Sequence, residues 1–181
     1  MKKIILLLVL VCTSISVLAE DIERLNVRYE EGVYFVSITY TVNATLESVR
    51  KVLTDYSNLH MLDPAIYEIQ ILKEPCEDSE RVKTLIHECF LFFCKDIVRT
   101  EDIYEDEQGN LVAKIVEKMS DMKSGESRWE FQELDGKVEI NFSSRMEPDF
   151  WVPPLIGPGI LKESLLQHLK LTARNLEKRA N

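Results

Sequence analysis

Beyond residue 20 the chain alternates apolar and polar positions with period two over most of its length, the mark of strands with one buried face. Leu25, Val27 and Tyr29 alternate into a turn at Glu30-Glu31-Gly32, and Tyr34, Val36, Ile38 and Tyr40 share a face of the next run. Residues 24–42 therefore predict a hairpin. Tyr67, Ile69 and Ile71 predict a further strand, closed by a loop over 75–79. Long strands follow over 81–93 and 95–105, and the apolar stretch 89–93 asks for burial on both faces or a bend. After a turn at 107–110 come strands over 111–119 and 127–134, the latter with Trp129 and Phe131 on one face. Asp135-Gly136 is a two-residue hairpin turn, leading to Val138, Ile140, Phe142, Ser144 and Met146 on a single face.

Two segments change period. Leu46, Val49, Val52, Leu53 and Tyr56 fall at helical spacing behind Thr45, a suitable N-cap. After Gly159, Leu161, Leu165, Leu169, Ala173, Leu176 and Ala180 form one continuous helical stripe. The order is hairpin, short helix, a run of antiparallel strands, and a long final helix. An amphipathic helix needs an apolar surface to cover, so the expected α+β architecture is a bent antiparallel sheet gripping that helix, an arrangement that can leave a cavity between them.

The first nineteen residues, MKKIILLLVLVCTSISVLA, read as a cleavable signal peptide. Lys2 and Lys3 form the charged region, Ile4 to Val11 the apolar core, and Val17 and Ala19 the small residues ahead of the cleavage point. The apolar core is shorter than the about 20 residues of a membrane span. Cys12 belongs to this signal, since Val11 stands where a lipoprotein needs a small residue. The expectation is an exported chain whose mature part, residues 20–181, is one domain in a periplasmic compartment. The formal net charge of −9 becomes −11 once Lys2 and Lys3 leave, which excludes the basic footprint of a nucleic-acid-binding domain.

Three cysteines then remain: Cys76, Cys89 and Cys94. In an oxidising compartment a close pair is read first as a disulfide, and four residues between Cys89 and Cys94 suit a tight strand connection. Spacing alone leaves open whether they are bonded, because bond geometry decides it. Cys76 is left over. A zinc site using His87, Cys89 and Cys94 lacks a fourth ligand at recognisable spacing, and no metal or cofactor is expected.

The stretch VRKVLTDYSNLHMLDPAI, residues 49–66, resembles the first helix and following loop of the START-like superfamily, also called the polyketide cyclase/dehydrase or coenzyme-Q-binding family. RVKTLIHECFLFFCKDIVRTEDI resembles the paired-cysteine strands of its exported bacterial members, and FWVPPLIGPGILKESLLQHLKLTARNLEKRAN their Pro/Gly loop and last helix. The similarity spans residues 22–181. It implies a helix-grip fold with a deep apolar cavity for a lipid, quinone or polyketide-like molecule, and it leaves the function open, because one fold hosts carriers and enzymes alike.

Catalytic chemistry is sparse. The three histidines, His60, His87 and His168, form no metal-binding pair, and there is no phosphate-cradling glycine loop. His87 and Cys89 share a strand face, but neighbouring same-face positions stand about 7 Å apart, beyond a nucleophile–base hydrogen bond. Asp55 and Asp63 are either a carboxylate pair at a cavity mouth or helix-end and turn residues. Sequons at Asn43 and Asn141 matter only in a glycosylating host.

Apolar features say more. Phe150, Trp151, Val152, Leu155 and Ile156 lie in a connection stiffened by Pro153-Pro154 and Gly157-Pro158-Gly159, where loops are ordinarily polar. Such a loop packs onto its own sheet or offers a binding edge. The loop after the first helix, with Leu59, Met61 and Leu62, is similarly apolar. Val36, Ile38, Tyr40, Trp129, Phe131, Ile140 and Phe142 are inward candidates, filling a solid core or walling a cavity.

The expected ligand-binding set is Tyr40, Tyr56, Met61, Leu62, Trp129, Phe131, Phe142 and Trp151. The expectation is a monomeric carrier of a hydrophobic small molecule, a lipid or isoprenoid quinone, buried under the long helix and gated by the two loops, with transient membrane contact. The competing readings are a cyclase or dehydratase using Asp55, Asp63 or His60, and an envelope interaction module docking through Trp151.

Overall fold

A computed structural model describes residues 22–72, 78–90, 93–153 and 158–181. Residues 1–21, on which the signal-peptide expectation falls, and Cys76, Leu155 and Ile156 lie outside the described residues. The chain runs β1 (Ile22–Glu30), β2 (Val33–Val42), α1 (Leu46–Leu53), a 3-10 turn (Tyr56–Met61), β3 (Ile66–Leu72), β4 (Glu80–Phe90) and β5 (Phe93–Glu105). Then follow β6 (Leu111–Ile115), a second 3-10 turn (Glu117–Met119), β7 (Met122–Leu134), β8 (Lys137–Pro148) and α2 (Pro158–Ala180).

The eight strands form one antiparallel sheet in the order β1-β2-β8-β7-β6-β5-β4-β3. Every neighbour pair but β2–β8 is consecutive in sequence, so the sheet is a meander interrupted once. The segment that interrupts it, α1 with its 3-10 turn, carries the chain from β2 to β3 at the far edge. That jump, together with α2, places helical elements on the concave face, as the α+β helix-grip expectation requires.

Alternation places the core. Val36, Ile38, Tyr40 and Val42 of β2 point inward and pair across the ladder with Ser144, Phe142, Ile140 and Val138 of β8. Val49 of α1 and Ala173 and Leu176 of α2 close over them. Thr45 caps α1 as expected: its Oγ1 accepts from the Ser48 N–H at 3.2 Å. Pro158 opens α2 at a position where a missing N–H costs nothing. At the Asp135-Gly136 turn both residues have positive φ (28° and 80°), the conformation a tight hairpin needs.

Some element limits differ from expectation. β7 starts at Met122 rather than 127, because Met122–Glu126 pair with β8 through the backbone ladder and polar side chains, with Ser124 bonded to Glu147 and Arg145, and show little apolar alternation. β6 ends at Ile115, and Glu117–Met119 turn instead of extending. The apolar stretch 89–93 is the end of a hairpin: Cys89 pairs with Cys94 and Phe90 with Phe93. Cys89 and Cys94 form a disulfide there, with Cα atoms 4.0 Å apart.

Most informative is α2. The stripe that looks continuous in sequence divides into two environments. Ala173 and Leu176 are buried in the core, and Asn175 Nδ2 donates to the Leu62 carbonyl at 3.0 Å. Glu177 Oε2 accepts from both the backbone N–H and the side-chain amide of Asn43, each at 3.0 Å. The first half, with Leu161, Leu165 and Leu169, is only half-buried. It lies over open space.

Candidate functional site

That space is a cavity of about 260 Å³ between the concave sheet, the loop after α1 and the first half of α2. Val36, Ile38 and Tyr40 form one wall, and Trp129 and Phe142 another, their rings 4.9 Å apart. Leu59 and Leu62 from the loop and Leu165 and Leu169 from α2 complete it. The cavity is therefore lined mainly by carbon, with polar groups at a few places, the usual composition of a small-molecule site.

Of the eight residues expected at the site, Tyr40, Tyr56, Leu62, Trp129 and Phe142 line this cavity. Three do not. Phe131 sits further along β7, packed against the core with the Arg50 guanidinium 5.2 Å from its ring centre. Met61 points to solvent from the end of the 3-10 turn. Trp151 is 70% exposed and meets the Phe93 ring edge-on at 6.4 Å, so it covers the inner face of the β4–β5 hairpin end instead of the cavity. Ile140 is wholly buried core.

On the polar side of the cavity stands Asp63, which the sequence offers as a carboxylate at a cavity mouth, with partners that the sequence does not assign to it. His168 Nδ1 stands 3.3 Å from Asp63 Oδ1, and its Nε2 lies 3.7 Å from Glu88 Oε2. Burial by itself would raise the Asp63 carboxyl, but hydrogen bonds from His168 and the Ala65 N–H hold it below its ordinary value. The Asp63 bond raises His168 against the effect of burial, and the Glu88 charge adds to the rise. Burial raises Glu88, with Asp63 repelling its charge and His168 opposing the rise.

Next to them on β5, Arg99 Nε lies 3.0 Å from Glu101 Oε2, an ion-pair distance. The N–H points off that line, so this buried nitrogen has the charge contact without a hydrogen bond. On the sheet floor the hydroxyls of Ser127 and Ser144 bond each other at 2.9 Å. Tyr40 is pushed up strongly by burial, and Tyr56 up to about 12 by burial and then by the charges of Glu80 and Glu105, so both phenols stay neutral.

The carboxylate pair that the sequence suggests does not form a unit. Asp55 accepts from Asn58 Nδ2 at 3.0 and 2.9 Å and serves the turn, while Asp63 alone lines the cavity. His60 is exposed on the 3-10 turn.

On the outer face of the β4–β5 hairpin the 7 Å separation expected from strand spacing is corrected. The side chains lean together, bringing His87 Nε2 within 3.5 Å of Cys89 Sγ. His87, Cys89 and Cys94 place metal-ligand atoms within 4.8 Å of one another. With the sulfurs bonded to each other they offer no thiolate, so the trio is a disulfide beside an imidazole and not a donor set.

No family model and no curated protein sequence matches the chain. Solved structures do. The Zhui aromatase/cyclase from Streptomyces sp. R1128 superposes with a TM-score of 0.64 at 14% identity, covering 82% of this chain and 93% of that one. A START superfamily protein from Mycobacterium smegmatis gives 0.61 at 19% identity, covering 81% and 96%. A STAR-related lipid transfer protein from Xanthomonas axonopodis gives 0.60 at 13% identity, covering 84% and 98%. Their identities are too low to carry function across, but the superpositions take in four-fifths of this chain and nine-tenths or more of each neighbour: this chain has the START-like helix-grip fold.

Proposed function

We propose that the protein binds and carries a hydrophobic small molecule, of the lipid, isoprenoid quinone or polyketide-like kind, in the cavity under α2. The observation that carries this is the cavity itself, walled by aliphatic and aromatic side chains with one polar cluster at its side. The names of its fold neighbours, an aromatase/cyclase and a STAR-related lipid transfer protein, support the same ligand chemistry. Its volume falls just short of the range of about 300–1,000 Å³ typical of ligand pockets. A long-chain guest therefore needs the wall to yield, and the first half of α2 is the part with least buried area to lose. The mechanism is passive burial, with the loop after α1 and the first half of α2 acting as gates, no cofactor, and a monomer as the working unit. Export would set this carrier in the periplasm, where exposed Trp151 and Phe93 offer an apolar edge for transient membrane contact.

One observation favours a catalytic variant of this reading. Asp63 and His168 form a carboxylate–imidazole pair facing an apolar chamber, a fitting place for proton transfer in a cyclase or dehydratase.

Native mass spectrometry and solvent extraction of protein purified from its host test the proposal. Binding of a fluorescent fatty acyl probe should be saturable and lost in Leu165→Trp, which fills the chamber while the fold, read by circular dichroism, stays intact. A protein that is always empty, and that binds the probe equally with the chamber filled, would overturn it.

A further inference from the structure

The β4–β5 hairpin carries a second constellation, on the sheet face opposite the cavity. His87 and Cys89 alternate outward along β4, and the ladder sets Asp96 directly across from His87 and Cys94 directly across from Cys89. Asp96 Oδ1 lies 2.7 Å from His87 Nδ1, and His87 Nε2 lies 3.5 Å from Cys89 Sγ. The four side chains thus form a line: carboxylate, imidazole, sulfur, sulfur. All are exposed. A disulfide that served only to staple the hairpin would need neither the imidazole nor its carboxylate. We infer that Cys89–Cys94 is an exchangeable disulfide, reacting with an external thiol, in which His87, oriented by Asp96, stabilises Cys89 as the departing thiolate.

The roles follow from which ring nitrogen faces which group. Asp96 accepts the Nδ1–H, fixing the orientation of the ring. Nε2 then presents an N–H to Cys89 Sγ and to no other sulfur in the array. An incoming thiolate attacks Cys94 Sγ, forming a mixed disulfide. The Cys89–Cys94 bond breaks and its electron pair leaves on Cys89, beside the His87 Nε2–H. Exchange runs faster when the leaving thiol has the lower pKa, which makes Cys94 the attacked sulfur and Cys89 the leaving one. A second thiol from the reductant resolves the mixed disulfide. The protein gains two electrons and two protons as two cysteine thiols, and the dithiol that supplied them is oxidised to its disulfide. The reverse sequence oxidises a dithiol at the expense of Cys89–Cys94.

The charged groups bearing on His87 are Asp96 across the ladder and Glu88 beside it on β4, while Tyr67 of β3 feels the Asp96 charge. The test uses the whole protein and dithiothreitol, with rates expressed per dithiothreitol thiolate. The wild type should be reduced at least about threefold faster than His87→Gln. Asp96→Asn, which frees the ring to turn away, should bring the thiolate-normalised rate down toward that of His87→Gln. In the reduced wild-type protein, iodoacetamide at pH 6 should label Cys89 ahead of Cys94, with the preference gone in His87→Gln. Equal thiolate-normalised reduction rates in wild type and His87→Gln, or equal labelling of the two cysteines in the wild type, would overturn the inference. These readouts do not depend on whether the cavity holds a ligand.

Discussion

His168 Nδ1 lies 3.3 Å from Asp63 Oδ1, joining the middle of α2 to the loop that leaves α1. This contact, with Glu88 on its other side, is a polar tie across the half of α2 that has few apolar contacts to hold it. Three of the four partners in the neighbourhood, Asp63, Arg99 and His168, also line the cavity, so the tie and the chamber share a wall.

The tie titrates in a definite direction. His168 is raised above its ordinary value, so its contribution is fully present below about pH 6.5 and fades as pH rises through its folded value. Asp63 is lowered, so its contribution is present above about pH 3.9 and lost as pH falls through its own, lower, folded value. Glu88 is raised and works the opposite way: ionising it costs stability as pH rises through the carboxylate range. The first half of α2 should therefore be held best in mildly acidic solution and loosen above neutrality. Hydrogen exchange over residues 160–170 should quicken between pH 6 and 8.5 beyond the intrinsic rate, and His168→Gln should remove that excess at a cost of about 1 kcal/mol. An α2 whose protection follows only the intrinsic rate would contradict this.

Leu176 and Leu165 are the same residue type on the same helix stripe, yet their truncations should differ. Leu176 is fully buried in the core, so Leu176→Ala should cost about 2–5 kcal/mol. Leu165 borders a space that already exists, and Leu165→Ala should cost under about 1.5 kcal/mol while enlarging the chamber. Urea midpoints of the two variants check the contrast.

Gly125 has no room for a side chain. A Cβ there would stand 2.7 Å from Ile115 Cγ1 and 3.3 Å from the Arg145 carbonyl oxygen. Gly125→Ala should lose about 1–3 kcal/mol through overpacking, and adding Ile115→Ala should restore part of it, because the closest contact comes from that side chain. A thermal melt in which Gly125→Ala matches wild type would show that β6 and β7 separate freely here.

Much of the fold is legible in the period. Tyr34 to Tyr40 and Val138 to Met146 alternate cleanly because one face of each run meets the core, and those runs are β2 and β8. Where a strand is held by backbone pairing and polar side chains, as at Lys123-Ser124-Gly125, apolar period carries no signal and marks the start of β7 too late. The aromatic half of the cavity is legible for the same reason: Tyr40, Trp129 and Phe142 sit on inward positions of strands that the alternation identifies. Of its polar side only Asp63 is. Asp63, Glu88, Arg99, Glu101 and His168 come from four separate elements, and only the closure of the sheet around α2 brings them together. Arg99 and Glu101 do share the inward parity of Ile97 and Ile103, and that parity is the one signal in the chain that marks them as buried charges. Hydrophobicity alone puts Phe131 and Trp151 in the site, but it does not say how far along a strand or loop the chamber extends.

The division of α2 also bears on how fast a guest can come and go. Its last turns are locked to the strands by Leu176, Asn175 and Glu177, so the cooperative unit that resists global unfolding ends near Ala173. Lifting the turns before it breaks few apolar contacts, so opening belongs to the low-free-energy local fluctuations of the native protein and not to its denaturation. Release rates would then be set independently of thermal stability, and variants that raise the melting temperature through the locked end would leave the residence time of the cargo unchanged.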